Sequence, residues 1–237
     1  MSKLNPSKLK RVAFKMVFLS LLVCVCITLN AASIEYFQGC ISYELSYQAS
    51  KPKNEDDREK LELIMADFHN TYGRTKVMCF RENGDTVVTY PYSNVVDSLW
   101  YVSKSNIEYT LLKNGDFLFE EHNQRDPING ELNEPKILRT DNNMAFQSLT
   151  LNETVVNVNG WTDTYWASDE LLRNPLSYER NMLGYTDLIM SSIKGVVLIF
   201  EHSLDGWITK TEHATKIDYS PPSESFFKLP SQKPQPW

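Results

Sequence analysis

The 237-residue chain carries 24 Lys+Arg against 30 Asp+Glu, a net charge of −6 at pH 7. A body of that sign is repelled by phosphate backbones and anionic lipid head groups, which disfavours a nucleic-acid partner. Only 9 residues are Gly, and there is no phosphate-cradling Gly-rich loop and no dinucleotide fingerprint.

The first 33 residues differ from the rest. Lys3, Lys8, Lys10, Arg11 and Lys15 form a basic start without an acidic residue, Met16 to Leu29 is apolar but for Ser20 and Thr28, and Ala31, Ala32 and Ser33 follow. This layout predicts a secretory signal peptide over residues 1–33, cleaved between Asn30 and Ile34. The apolar run of 14 residues is shorter than the roughly 20 that span a bilayer, so membrane association would require this segment to stay uncleaved as an anchor. Cys24 and Cys26 each follow Val rather than a small residue and are read as part of the apolar run. Five basic residues leave with the signal, so 19 face 30 acidic ones and the mature chain, about 204 residues, carries −11. That length suits one all-β domain, 34–230, with a Pro-rich tail, 231–237, expected to be loosely held.

Gly39–Tyr47 alternates Ile41, Tyr43, Leu45 and Tyr47 with polar residues and predicts a half-buried strand. Asn54 before Glu55, Asp56 and Asp57 is a helix start, and Leu61, Ile64, Met65, Phe68 and Tyr72 make one apolar face before Gly73 ends the helix. Asn83-Gly84, Asn114-Gly115, Asn159-Gly160 and Asp205-Gly206 each separate two β-forming runs and predict two-residue type I′ hairpins. That register sets Lys113 opposite Asp116, Glu201 opposite Lys210, Phe200 opposite Thr211 and Leu204 opposite Trp207. Leu99–Val102 is another short strand, 122–135 is a loop, Ala145–Leu151 continues the sheet, and Ser168-Asp169-Glu170 signals a short helix ending by Asn174-Pro175. The expected fold is mainly β: a large curved antiparallel sheet or incomplete barrel, wrapped around one long and one or more short helices. Cys40 and Cys79 fall on neighbouring strands, and two alternatives stay open, a disulfide or two buried thiols.

Four segments, together with the helix before the second strand, carry a family likeness: Phe37-Gln-Gly-Cys-Ile-Ser-Tyr43, Thr164-Tyr-Trp-Ala-Ser-Asp-Glu-Leu-Leu-Arg-Asn-Pro175, Thr215-Lys-Ile-Asp-Tyr219 and Phe227-Lys-Leu-Pro230. In these the chain resembles exported Bacteroidetes proteins with a domain of unknown function related to the LolA-like lipoprotein-carrier superfamily. The resemblance implies an incomplete barrel around helices and a cavity of the kind that takes acyl chains. It supplies no catalytic residue. Relatives often have Gly-Tyr-x-Cys where this chain reads Glu153-Thr-Val-Val-Asn-Val-Asn159.

His69, His122, His202 and His213 show no metal-ligand spacing, and Ser191-x-x-Lys194 lacks its companion motifs, so no catalytic residue, metal or cofactor is expected and the chain does not read as an enzyme. The aromatics stand out. Trp161, Tyr165, Trp166, Phe200, Leu204 and Trp207 are the candidate lining of a ligand cavity, against the plainer alternative of a packed core under the helix. The expected protein is exported, in the periplasm or at the outer membrane or cell surface. It binds a lipid or acyl chain between sheet and helix, or is a structural or interaction component of the envelope with a filled core.

Overall fold

A computed structural model describes residues 34–50, 52, 54–123, 134–158, 161–204 and 207–237. The chain divides into two units, Met1–Glu35 and Tyr36–Trp237, and the fold is that of the second. The expected signal peptide, the turn residues Asn159-Gly160 and Asp205-Gly206, and most of the loop 122–135 lie outside the described residues.

The protein is mostly β. Its strands are β1 (Gly39–Ala49), β2 (Thr75–Phe80), β3 (Thr86–Thr89), β4 (Val96–Val102), β5 (Ile107–Leu112), β6 (Phe117–Glu121), β7 (Lys136–Phe146), β8 (Leu149–Val158), β9 (Trp161–Leu172), β10 (Gly195–Leu204), β11 (Ile208–Asp218) and β12 (Gln235–Pro236). They form one sheet in the order β12-β6-β5-β4-β3-β2-β1-β11-β10-β9-β8-β7, which is not closed. All pairs are antiparallel except β12 on β6. The strand nearest the start and the long strand nearest the end, β1 and β11, meet in the middle.

Helix α1 (Glu55–Tyr72) fills the β1–β2 connection. Asn54 caps it, its side chain accepting from the Asp57 N–H at 2.8 Å, and the acids of the first turn complement the dipole. Leu61, Met65, Phe68 and Tyr72 turn inward, the last three onto Leu45, Tyr47, Tyr90 and Val96. Ile64, placed in this stripe by the sequence pattern, is 40% exposed, because the contact follows i, i+4, i+7 and i+11. Helix α2 (Thr186–Ile193) lies between β9 and β10 and packs Ile189 and Ile193 against Val156, Tyr165 and Ala167.

The Asn-Gly turns differ from the two-residue expectation. Arg81 N–H donates to the Asp85 carbonyl at 3.0 Å, and Leu112 N–H to that of Asp116 at 2.9 Å, so each loop has three residues. Positive φ falls on Gly84 (+87°) and Gly115 (+95°) but not on Asn83 or Asn114, which describes a type I turn with a glycine bulge. Leu204 likewise pairs with Ile208 rather than Trp207. At each of these hairpins the register moves by one residue and the partners change. Lys113 meets Asp97, not Asp116. Glu201 faces Thr211, while Lys210 faces His202 and its ammonium lies 2.8 Å from Glu212. The Val158–Trp161 pairing of the third hairpin fits a two-residue loop.

Residues 145–151 continue the sheet as the end of β7 and the start of β8, with the chain turning at Gln147 (φ +53°). Two further expectations change. Ser168-Asp169-Glu170 starts no helix: β9 runs through it with a bulge against β10. There the Ser168 hydroxyl accepts from the Glu170 N–H at 3.2 Å, so the local bond that suits a helix cap serves a bulge instead. The bulge also requires Gly195, where a Cβ would stand 2.2 Å from the Ser168 carbonyl oxygen. Finally, the tail is held. Trp100 Nε1–H donates to the Phe226 carbonyl at 2.9 Å, and Phe227 and Leu229 pack on the cluster of Cys79, Val87, Trp100 and Phe117. β12 then pairs with β6, and Trp237 N–H donates to the Phe119 carbonyl at 3.0 Å.

Cys40 and Cys79 stand opposite each other on β1 and β2 with Cα atoms 4.0 Å apart, joined as a disulfide.

Candidate functional site

Directly paired residues of an antiparallel sheet share a face, so the register assembles two rows across its middle. One is Tyr47 (β1), Lys210 (β11), His202 (β10) and Asp163 (β9). Beside it run Leu45, Glu212, Phe200, Tyr165 and Thr154. Both helices pack on this face. Tyr47 stacks on Phe68 of α1 with ring centroids 5.4 Å apart, and Tyr165 and Phe200 belong to the cluster under α2. A charged band thus runs between the two helix contacts.

Glu212 is its centre. Its carboxylate contacts the Lys76 ammonium and lies 2.8 Å from that of Lys210. Burial by itself would raise the Glu212 pKa, but the two ammonium groups outweigh it and hold the carboxyl down at about 2. Burial pulls Lys76 below its ordinary value, with Glu212 pulling it back up. Lys76 also sits 4.9 Å over the Tyr43 ring, and Lys210 sits 5.4 Å from that of Tyr72. Further along, the His202 imidazole meets the Asp163 carboxylate, and the Tyr165 hydroxyl donates to the same carboxylate at 3.1 Å. Trp161 packs edge-on to His202 at 5.7 Å. Glu212 and Lys76 are almost buried, with 10% and 12% of their side chains exposed, while Asp163, His202 and Lys210 keep 20–23%.

A third cation, Arg173, follows β9. Its Nε–H donates to the Ser177 hydroxyl at 2.7 Å, and Nη1 approaches the Met190 sulfur of α2 at 3.4 Å. The guanidinium lies 5.8 Å from the ring centres of both Phe80 and Tyr178. Burial lowers its pKa, and the hydroxyls of Tyr43, Tyr178 and Tyr101 act against that. Tyr43 links the two regions. Burial raises its hydroxyl, Glu212 adds to the rise, and Arg173 opposes it, while the hydroxyl donates to the Val197 carbonyl at 2.7 Å. A third feature, in the β4–β6 region, is a carboxyl pair: Glu108 stands opposite Glu120, and burial followed by that neighbour raises Glu108 to about 7.

Of the six aromatic and apolar residues that the sequence points to, the structure brings three together. Trp161, Tyr165 and Phe200 surround His202 and Asp163, with the Tyr165 and Phe200 rings 4.8 Å apart. Trp166 follows Tyr165 along the strand and so points to the other face, opposite Ile199 and Glu153. Trp207 is 39% exposed at the end of its hairpin. Leu204 pairs with Ile208 through its backbone, and its side chain lies outside the described residues. Sequence reasoning misses both the charged band and Arg173. The signal that finds the band is the parity of Lys210, Glu212 and His202, which a one-residue change of register puts on one face. Among the described residues no group of three or more His, Cys, Asp or Glu could hold a metal ion, and no helix is long and apolar enough to cross a membrane.

No family model and no curated protein matches the chain. Among solved structures it is similar to PNGF-II, at 14% identity and a TM-score of 0.43 over 83% of this chain and 31% of that one. A second crystal form of PNGF-II gives 13% and 0.41 over 83% and 32%. The chain therefore spans about a third of PNGF-II, and likeness at this level transfers neither fold family nor activity.

Proposed function

We propose that this is an exported cell-envelope protein that binds a lipid or acyl chain on the helix-bearing face of its sheet, as a carrier-like incomplete barrel wrapped around α1 and α2. One observation supports this above the rest. Lys76, Glu212, Lys210, His202 and Asp163 form a charged band that keeps 10–23% of its side-chain surface in water while lying between two helix contacts. Buried charges are ordinarily paired, as these are, and a few convergent polar groups between apolar walls are also how small-molecule sites are built. The band makes the ligand amphipathic rather than purely apolar. Export is supported by the basic-then-apolar start of the sequence and fits the Cys40–Cys79 disulfide. The relation to lipoprotein carriers rests on the sequence resemblance.

A second reading, a structural or interaction protein without a small ligand, draws on the packing of Ile189 and Ile193 against Tyr165 and Ala167, which occupies that end of the face. Titration with a fluorescent fatty acid separates the two. Saturable uptake that Phe200→Ala and Lys210→Ala each weaken supports the binding role, and no uptake by the wild-type protein rejects it.

A further inference from the structure

Arg173 is a strongly desolvated guanidinium whose neighbours among the described residues include no carboxylate. The cations of the charged band differ, because Lys76 and Lys210 share Glu212. Arg173 has a hydroxyl, a thioether and two aromatic rings instead. A guanidinium offers five N–H donors in a rigid fork, and the Ser177 hydroxyl and Met190 sulfur engage only Nε and Nη1. The outer edge of the fork, with both hydrogens of Nη2, has no acceptor among the described residues. Charges taken out of water are ordinarily paired, and a planar fork fits a carboxylate or phosphate through two parallel hydrogen bonds. Part of the Arg173 surface still reaches solvent, so the residue is not sealed in the core.

We infer that Arg173 anchors the anionic group of a ligand, a carboxylate or phosphate, beside Phe80, Tyr178 and Met190. This rests on the binding role proposed above and supplies the head-group end of the same ligand. The interior is then selective for an amphipathic anion although the chain as a whole is acidic. The position is built locally. Arg173 N–H donates to the Lys194 carbonyl at 3.0 Å and Asn174 caps the short 3-10 turn Pro175–Ser177, so the residue is fixed between the end of β9 and the end of α2.

Three probes test this with the full-length mature protein: cis-parinaric acid, the corresponding uncharged parinaryl alcohol, and inorganic phosphate. Wild-type protein should bind the acid about tenfold or more tighter than the alcohol, the gain expected of a charge-assisted hydrogen bond. Arg173→Gln should remove that preference and leave alcohol binding unchanged, with Arg173→Lys intermediate. Equal binding of acid and alcohol by the wild type, a comparison that needs no variant to fold, overturns the anion site and leaves the binding role standing. So does a preference retained by Arg173→Gln. If neither parinaryl probe binds but phosphate raises the unfolding temperature of the wild type and not of Arg173→Gln, the anion site stands and the acyl-chain role falls. Failure of all three probes overturns both.

Discussion

Lys76 and Glu212, 136 residues apart in sequence, form an ion pair across β1, on whose two sides β2 and β11 lie. The contact ties the two halves of the sheet together at the strand where they join. Lys210 completes it from Glu212's own strand.

Glu212→Gln should therefore destabilise the fold by about 3 kcal/mol, as expected when one partner of a buried pair is removed. The pH dependence has a definite sign. The folded carboxyl titrates near 2 instead of its ordinary 4.5, so its stabilisation is fully present above about 4.5 and is lost as pH falls toward 2. Urea unfolding of wild type and variant between pH 2 and 7 should give curves that converge at the acid end. A constant difference across that range would mean that the Glu212 charge does not stabilise the sheet.

Reduction of Cys40–Cys79 opens a bridge between residues 39 apart. The loop-entropy relation gives about 4 kcal/mol for a closure of that length. Unfolding free energies measured with and without dithiothreitol, and for the double variant Cys40→Ala/Cys79→Ala, should fall together by that amount. No change would show that the bridge does not constrain the unfolded chain.

Two glycines in matching turns should respond differently to Ala. Both have positive φ, which costs a Cβ-bearing residue about 1 kcal/mol. A Cβ at Gly115 meets nothing within 4 Å, whereas one at Gly84 would stand 2.9 Å from the Leu176 Cβ and the Ser177 backbone nitrogen. Gly84→Ala should thus cost at least twice as much as Gly115→Ala in thermal unfolding. Equal costs would mean that the 175–177 turn yields freely.

Removing residues 231–237 takes away β12, the Trp237 bond to Phe119 and the Gln232 side-chain bond to the Gly115 carbonyl at 2.9 Å. It also bares the edge of β6, a pairing surface that proteins normally cover. Hydrogen exchange should rise along Phe117–Glu121 and the truncated protein should self-associate at high concentration. Unchanged exchange there would make the tail an ornament of the sheet.

Much of the architecture is legible in the sequence. The alternation in β1, the Asn54 cap and Gly73 stop of α1, and the β-forming runs around each turn mark the elements and their order. The charged site is not legible, for one geometric reason. Reading Asp205-Gly206 as a two-residue loop pairs Phe200 with Thr211 and sends Lys210 and Glu212 to the face opposite Phe200. The observed pairing of Leu204 with Ile208 brings them back beside His202 and Phe200. Asn-Gly is compatible with both loop lengths, and which one forms depends on whether Asn adopts positive φ, which neither Asn83 nor Asn114 does. Arg173 is hidden differently. It lies at the end of β9, and two of its neighbours, Phe80 of β2 and Met190 of α2, come from separate parts of the chain that only the fold brings together.

Native mass spectrometry of the protein released gently from its own envelope tests the binding role most directly. An exported carrier should show the mass of a chain shortened by about 33 residues, the length of the expected signal peptide, with a noncovalent adduct of lipid or fatty-acid size. Phe200→Ala and Lys210→Ala should carry less of that adduct. A bare polypeptide mass, together with no uptake of added fatty acid, would contradict the binding role.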